Sequence, residues 1–218
     1  MPTHDRFSRR DFLKTAGAAV GVSALACGGL GVLGTRAPEI GFLENHHEGA
    51  NDMGKVLVAY ASKAGSTGEV AEAIGQVLNA KDMAVDVLQV KHVMDLSGYQ
   101  AFVIGSAIRM GRWLPEAVQF VEKNRVVLSR VPTAHFLVSG FLREDTPEMR
   151  SQVLAFVDPV RKILEPKSIG LFAGKMDYSK ISWLDRTIAQ AVKSVEGDWR
   201  NWDAIRGWAG ELATRLSA

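Results

Sequence analysis

The residues best suited to chemistry lie in one short segment, Ser62-Lys63-Ala64-Gly65-Ser66-Thr67-Gly68. It follows the apolar run Val56-Leu57-Val58-Ala59-Tyr60 and opens a stretch with helical periodicity. Ser62 stands at the strand exit, Gly65 lets the backbone turn, and Ser66 and Thr67 sit at the helix start. Amides at a helix N-terminus are unpaired and carry partial positive charge, so an anion placed there is held without an arginine. The two hydroxyls add donors of suitable reach. The segment lacks the G-x-x-x-x-G-K-[ST] spacing of a Walker loop and the G-x-G-x-x-G of a dinucleotide loop. An ordinary turn with Ser66 or Thr67 as N-cap would use the same residue types.

The elements that must hold this turn are legible as alternating strands and helices. Five apolar runs, at 56–60, 85–90, 101–105, 133–138 and 168–173, read as strands. Between or after them, helical patterns occupy 67–78, 114–123, 147–164, 183–195 and 202–216. Pro115 falls in a first turn, where its missing N–H is harmless, and Pro159 should kink its helix. Long helical crossovers imply a parallel, doubly wound sheet. Ligands of such sheets bind beyond the carboxyl ends of the strands. The chemistry is therefore expected after Tyr60, Gly105 and Val138.

These segments carry a resemblance. Residues 56–67 resemble the FMN-phosphate loop of flavodoxins, a strand followed by [ST]-x-x-G-x-T. Ser62, Gly65 and Thr67 match its key positions, while Ser66 stands where Asn is common and Ala64 where Thr is common. Tyr99-Gln100-Ala101-Phe102-Val103-Ile104-Gly105-Ser106-Ala107-Ile108-Arg109-Met110-Gly111 is similar to the third strand and second flavin loop of the menaquinone-dependent protoporphyrinogen oxidase branch. Ala173-Gly174-Lys175-Met176-Asp177-Tyr178 and Trp183-Leu184-Asp185-Arg186 look like that branch's insertion after the last strand. The resemblance covers residues 55 to about 216. It implies a flavodoxin-like α/β fold with a five-stranded parallel sheet in the order 2-1-3-4-5.

It also implies FMN as cofactor. The phosphate would lie on Ser62, Lys63, Ala64, Gly65, Ser66 and Thr67. The ring would lie between a loop carrying Ser106, Ala107, Ile108, Arg109, Gly111 and Trp113 and a loop carrying Ser139, Gly140 and Phe141. Trp113 and Phe141 are candidate stacking partners. Arg109, always charged, suits an anionic flavin or a substrate carboxylate and is the one candidate catalytic residue. The implied reaction passes electrons from a porphyrinogen through FMN to a menaquinone-type quinone. Arg112, Lys175, Lys180 and Arg186 could form a basic rim for propionates or anionic lipid heads. His135, inside a strand pattern, reads as a core histidine. No nucleophile–base pair is evident.

The first 54 residues are different. Ser8-Arg9-Arg10-Asp11-Phe12-Leu13-Lys14 precedes an uncharged stretch at 15–35. This resembles a twin-arginine export signal, which implies the export machinery as partner and the cell envelope as destination. Three fates stay open: cleavage after Ala24-Leu25-Ala26, lipidation of Cys27, or retention as an anchor. Residues 36–54 lack periodicity and read as a linker, with His46-His47 solvated. The chain therefore divides into a signal (1–35), a linker (36–54) and one domain (55–218).

Composition narrows the classes further. In 218 residues, 26 Lys and Arg against 24 Asp and Glu leave a net charge of +2, no footprint for nucleic acid. One cysteine excludes an internal disulfide, a cysteine zinc cage or an iron–sulfur site, and no metal site is expected. The oligomeric state is not legible. Two other functions fit the same elements, an exported electron carrier without its own substrate and a flavin-free binding module of the same fold.

Overall fold

The computed structural model describes residues 41–49, 54–191 and 194–216. The expected signal and Cys27 lie outside them. The described residues fall into two compact units, one of residues 41–175 and 198–216, the other of residues 176–197.

The larger unit is built on a seven-stranded sheet. Its strands are β1 (Asn45–His47), β2 (Lys55–Ala61), β3 (Ala84–Gln89), β4 (Tyr99–Arg109), β5 (Arg112–Trp113), β6 (Thr133–Ser139) and β7 (Ile169–Ala173). The order is β1-β3-β2-β4-β6-β7, with β5 paired to β4. The five long strands are parallel and run 2-1-3-4-5 among themselves, as expected. Two strands were not expected: β1, antiparallel at the β3 edge, and β5, antiparallel to the end of β4.

Strand alternation builds two cores. Val56, Val58 and Tyr60 of β2 face α1 (Ser66–Asn79) and α6 (Trp202–Leu216), through Val70, Ile74, Ile205 and Leu212. Leu57, Ala59 and Ala61 face the opposite layer, with Phe120 and Val121 of α2 (Pro115–Leu128) and Val153 of α3 (Pro147–Leu154). Burial on both faces explains why the central strands are almost continuously apolar. The expected helix at 147–164 is broken into α3 and α4 (Asp158–Arg161). Pro159 lies in the first turn of α4, where it starts a new helix more readily than it continues an old one.

At 45–47, within the stretch expected to be a linker, the chain forms the strand β1. Its sequence, Asn-His-His, has no strand signature. It is held by side chains instead: His46 Nδ1 lies 2.7 Å from Asp86, and His47 Nε2 lies 3.1 Å from Glu72. His46 is hydrogen-bonded to its acid, and His47 lies within ion-pair distance of Glu72 without an aligned hydrogen bond. Asp86 also meets Lys55 at 2.5 Å and Tyr99. Burial pushes the Asp86 carboxyl up, but hydrogen bonds from Lys55, Tyr99 and His46 outweigh it and hold the carboxyl below its ordinary range.

Within the smaller unit, a 3-10 turn (Tyr178–Lys180) leads to α5 (Trp183–Ala191). The Tyr178 amide donates to Glu196 and its hydroxyl to the Ser194 carbonyl. Trp183 and Leu184 are exposed. Short strands β8 (Lys175–Met176) and β9 (Gly197–Asp198) form a two-stranded sheet of their own. No helix among the described residues is long and apolar enough to cross a membrane.

Candidate functional site

The turn after β2 has the geometry of an anion cradle. Gly65 is the residue before α1 and is left-handed, with φ 87° and ψ −23°, a conformation that favours glycine. Its amide donates to Ser62 Oγ at 3.0 Å, which closes the turn. Its carbonyl accepts from the amides of Gly68 and Glu69. With Gly65 in the capping position, Ser66 and Thr67 fall inside the helix, and neither hydroxyl caps it. Their amides donate to no backbone acceptor among the described residues. Thr67 is buried, and its Oγ1 has no hydrogen-bond partner. A buried hydroxyl without a partner is unfavourable unless something else supplies one. An anion at the mouth of the turn would meet two free amides and this hydroxyl, so the residues present fit a phosphate group. Lys63 is exposed beside them and lies 3.7 Å from Glu116. Ala64 is half-buried.

The helix is pressed closely on the strand behind it. A Cβ at Gly68 would come within 2.9 Å of the Tyr60 ring. The Tyr60 hydroxyl donates to the Leu43 carbonyl at 2.7 Å. A cavity of about 290 Å³ adjoins the turn, lined by Phe42, Ser62, Lys63, Gln89 and Lys91 among others. A larger groove of about 600 Å³, beside Arg130, Lys167 and Arg215, lies at the other end of the strands and away from these loops.

The second expected loop is a β-hairpin. β4 runs on to Arg109 and returns as β5, with Arg109 opposite Arg112. Met110 (φ 51°) and Gly111 (φ 71°) form its two-residue turn. Both central residues at positive φ mark the turn type whose twist matches a hairpin. Ser106 is fully buried; its hydroxyl accepts from the Leu114 amide at 2.9 Å and donates to the Ala107 carbonyl at 2.8 Å. It therefore pins the hairpin to the start of α2. Ala107 and Ile108 are half-buried against the α2-side core, and Arg109 is exposed.

Trp113 is placed differently from the expectation of a loop aromatic. It is 4% exposed and packs edge-on against His135, with ring centroids 5.3 Å apart. The β5 strand turns it inward, so its ring belongs to the core. Its Nε1 and both ring nitrogens of His135 are buried without partners. His135 is a core histidine, as expected, and burial pulls its pKa from 6.5 down to about 4.

The third loop is a 3-10 turn, Gly140–Arg143. Ser139 is buried and accepts from the Phe141 amide at 3.2 Å, capping the turn. Gly140 has open space where a side chain would stand. Phe141 is 39% exposed and lies edge-on to Phe156 at 5.6 Å. A Cβ at Gly111 would lie 3.2 Å from the same Phe156 ring. Phe156, which carried no sequence signal, thus seats the hairpin and the third loop on one support. Of the expected rim, Lys180 and Arg186 belong to the smaller unit. Among the described residues no group of His, Cys, Asp and Glu could hold a metal ion.

The first turn of α1 also has a distant partner. Arg200 Nη1 lies 2.6 Å from Glu69 Oε2, and Arg200 Nε lies 2.7 Å from Asp198 Oδ1. The guanidinium stacks over Trp202 at 4.5 Å. Glu69 and Arg200 are 131 residues apart, so no local pattern could reveal the pair.

Residues 57–203 match the model of the flavodoxin domain family. The chain belongs to that family. It is 24% identical over 173 residues to a protoporphyrinogen IX dehydrogenase [quinone] of Escherichia coli, covering 73% of this chain and 94% of that protein. It is 24% identical over 179 residues to the protein of the same description from Leishmania major, covering 75% of this chain and 77% of that one. Among solved structures, a flavodoxin from the domain Archaea superposes with a TM-score of 0.47 at 18% identity, over 75% of this chain and 99% of that one. Family and relatives together support a flavoprotein of the oxidoreductase or electron-carrier type.

Proposed function

We propose that the chain is an FMN-dependent oxidoreductase that takes electrons from a porphyrinogen-type substrate and passes them to a menaquinone-type quinone. The observation that carries this reading is the turn at 62–67. Its free amides and the partnerless Thr67 hydroxyl suit a phosphate, and the two relatives named above are described as acting on protoporphyrinogen IX with a quinone. FMN, when bound, supplies the electron-transfer chemistry. Ser62, Gly65, Ser66 and Thr67 would hold its phosphate. The hairpin at Arg109–Arg112 and the turn at Gly140–Phe141 would flank its ring, with Phe141 as the exposed aromatic. Arg109 supplies positive charge for an anionic flavin or a substrate carboxylate.

Three further features belong to the same proposal. The Arg9-Arg10 leader suits twin-arginine export and residence in the cell envelope. The uncharged stretch at 15–35 and the exposed Trp183 and Leu184 suit a membrane surface. Quinone, porphyrinogen and the export machinery are the partners this implies.

The decisive experiment is spectroscopic. The purified full chain should carry flavin absorption or acquire it with added FMN. Anaerobic protoporphyrinogen should bleach that absorption, and a menaquinone analogue should restore it. Protein that stays colourless with FMN sinks the reading. Protein that binds FMN and exchanges electrons only with a redox protein, with neither quinone nor porphyrinogen, is a carrier. Separately, replacing both Arg9 and Arg10 by Lys should leave the chain in the cytoplasm, as read by fractionation.

A further inference from the structure

We infer that Arg200 is a positioning residue of the anion turn: it neutralises Glu69, so that the start of α1 keeps its positive potential for a phosphate. This rests on the reading of that turn as an FMN-phosphate site.

The conflict it resolves is built into the helix. Glu69 lies in the first turn of α1, on the same turn as the free amides of Ser66 and Thr67. A carboxylate there is favourable for the helix itself, because it compensates the partial positive charge of the N-terminus. That same compensation works against a bound dianion. Two negative groups within one helical turn draw on one set of amides and repel each other.

Arg200 meets Glu69 from outside the helix. Its side chain is 5% exposed, far more buried than either carboxylate it touches. One nitrogen takes Glu69 at 2.6 Å, and two others take Asp198 in a fork. Trp202 closes one face of the guanidinium at 4.5 Å. Fork pairing and a stacked ring fix the plane of the group, which a lysine would not reproduce. The Glu69 carboxylate is thereby held to a cation, in a pairing strengthened by the burial of Arg200. Asp198 balances the remaining demand of the guanidinium, and the phosphate site is left with its own amides.

The test separates charge from packing by using two flavins. FMN carries a phosphate and riboflavin does not. In R200M the FMN dissociation constant should rise about tenfold at low ionic strength, with riboflavin within about twofold of the parent. In the double variant E69Q/R200M, FMN affinity should return to near the parent value. In E69Q alone FMN should bind about threefold more tightly, and riboflavin unchanged. Equal losses for both flavins in R200M would make Arg200 a merely structural residue and overturn the inference, as would unchanged FMN binding. If R200M does not fold, E69Q decides: unchanged FMN affinity there overturns it. A parent protein that binds neither flavin overturns the flavin reading as well, which is seen before any variant is made.

Discussion

Among the buried side chains of the larger unit whose polar atoms lack hydrogen-bond partners, Thr67 and His135 have opposite meanings. The Thr67 hydroxyl lies at the anion turn, where an unmet donor can be answered by a ligand. Thr67→Val keeps its shape and removes the hydroxyl. In the absence of ligand its stability should equal or exceed the parent by up to about 1 kcal/mol, because a buried orphan is lost. FMN affinity should fall about tenfold or more, since a hydrogen bond to a charged group is among the stronger ones. Parallel urea unfolding and flavin titration would show both. His135 lies on β6, wholly buried against the Trp113 ring and away from the anion turn. Burial holds its pKa at about 4 against 6.5 in an unfolded chain, so the unfolded state binds the extra proton first. Stability is then undiminished above about pH 6.5, falls as the pH drops below it, and stops falling below about pH 4. The full swing is about 3 kcal/mol. His135→Leu should flatten that acid limb, which chemical denaturation at pH 7.5 and 4.5 would measure.

At the scale of elements, the site depends on how closely the strands and helices meet. Gly105 lies in the middle of β4, and a Cβ there would stand 2.0 Å from the Phe136 ring on β6. Phe136 is wholly buried and itself packed against Phe172, so it has little room to yield. Gly105→Ala should therefore lower stability by about 2 kcal/mol or more, through overpacking of the sheet. A melting temperature equal to the parent's would contradict this account of β4. The hairpin after β4 is the second element-level finding. Its turn needs two consecutive residues at positive φ, and Met110 occupies one of them. The hairpin and not an open loop is what turns Trp113 inward, so that Phe141 is left as the aromatic exposed beside the expected ring site.

For the whole molecule, a ligand gripped by the folded state alone must raise its stability. With FMN at a hundred times its dissociation constant the gain is about 2.7 kcal/mol. For a domain of this size that corresponds to a rise of roughly 5–10 °C in melting temperature. Riboflavin, lacking the phosphate, should give a smaller rise at equal concentration. A calorimetric scan with each flavin checks both statements, and equal shifts would place the affinity in the ring and not in the turn.

The strand order 2-1-3-4-5 came only with the family resemblance, whereas the five parallel strands and the turn at 62–67 were legible from residue types alone. Each is a local signal: apolar runs buried on both faces, helical periodicity, and hydroxyls with glycine at a strand-to-helix junction. Folding in three dimensions decided the rest. β1 pairs because Asp86 and Glu72 wait for His46 and His47 across 40 and 25 positions of chain, and three polar residues show no periodicity. Gly65 took the capping position, which released Ser66 and Thr67 for other work. Ser106 and Ser139, read as flavin contacts, have hydroxyls that hold their own loops. The Glu69–Arg200 pair joins the two ends of the domain. A sequence reports preferences of neighbours along the chain, whereas charge pairing and burial depend on distance through space, which only the packed sheet establishes.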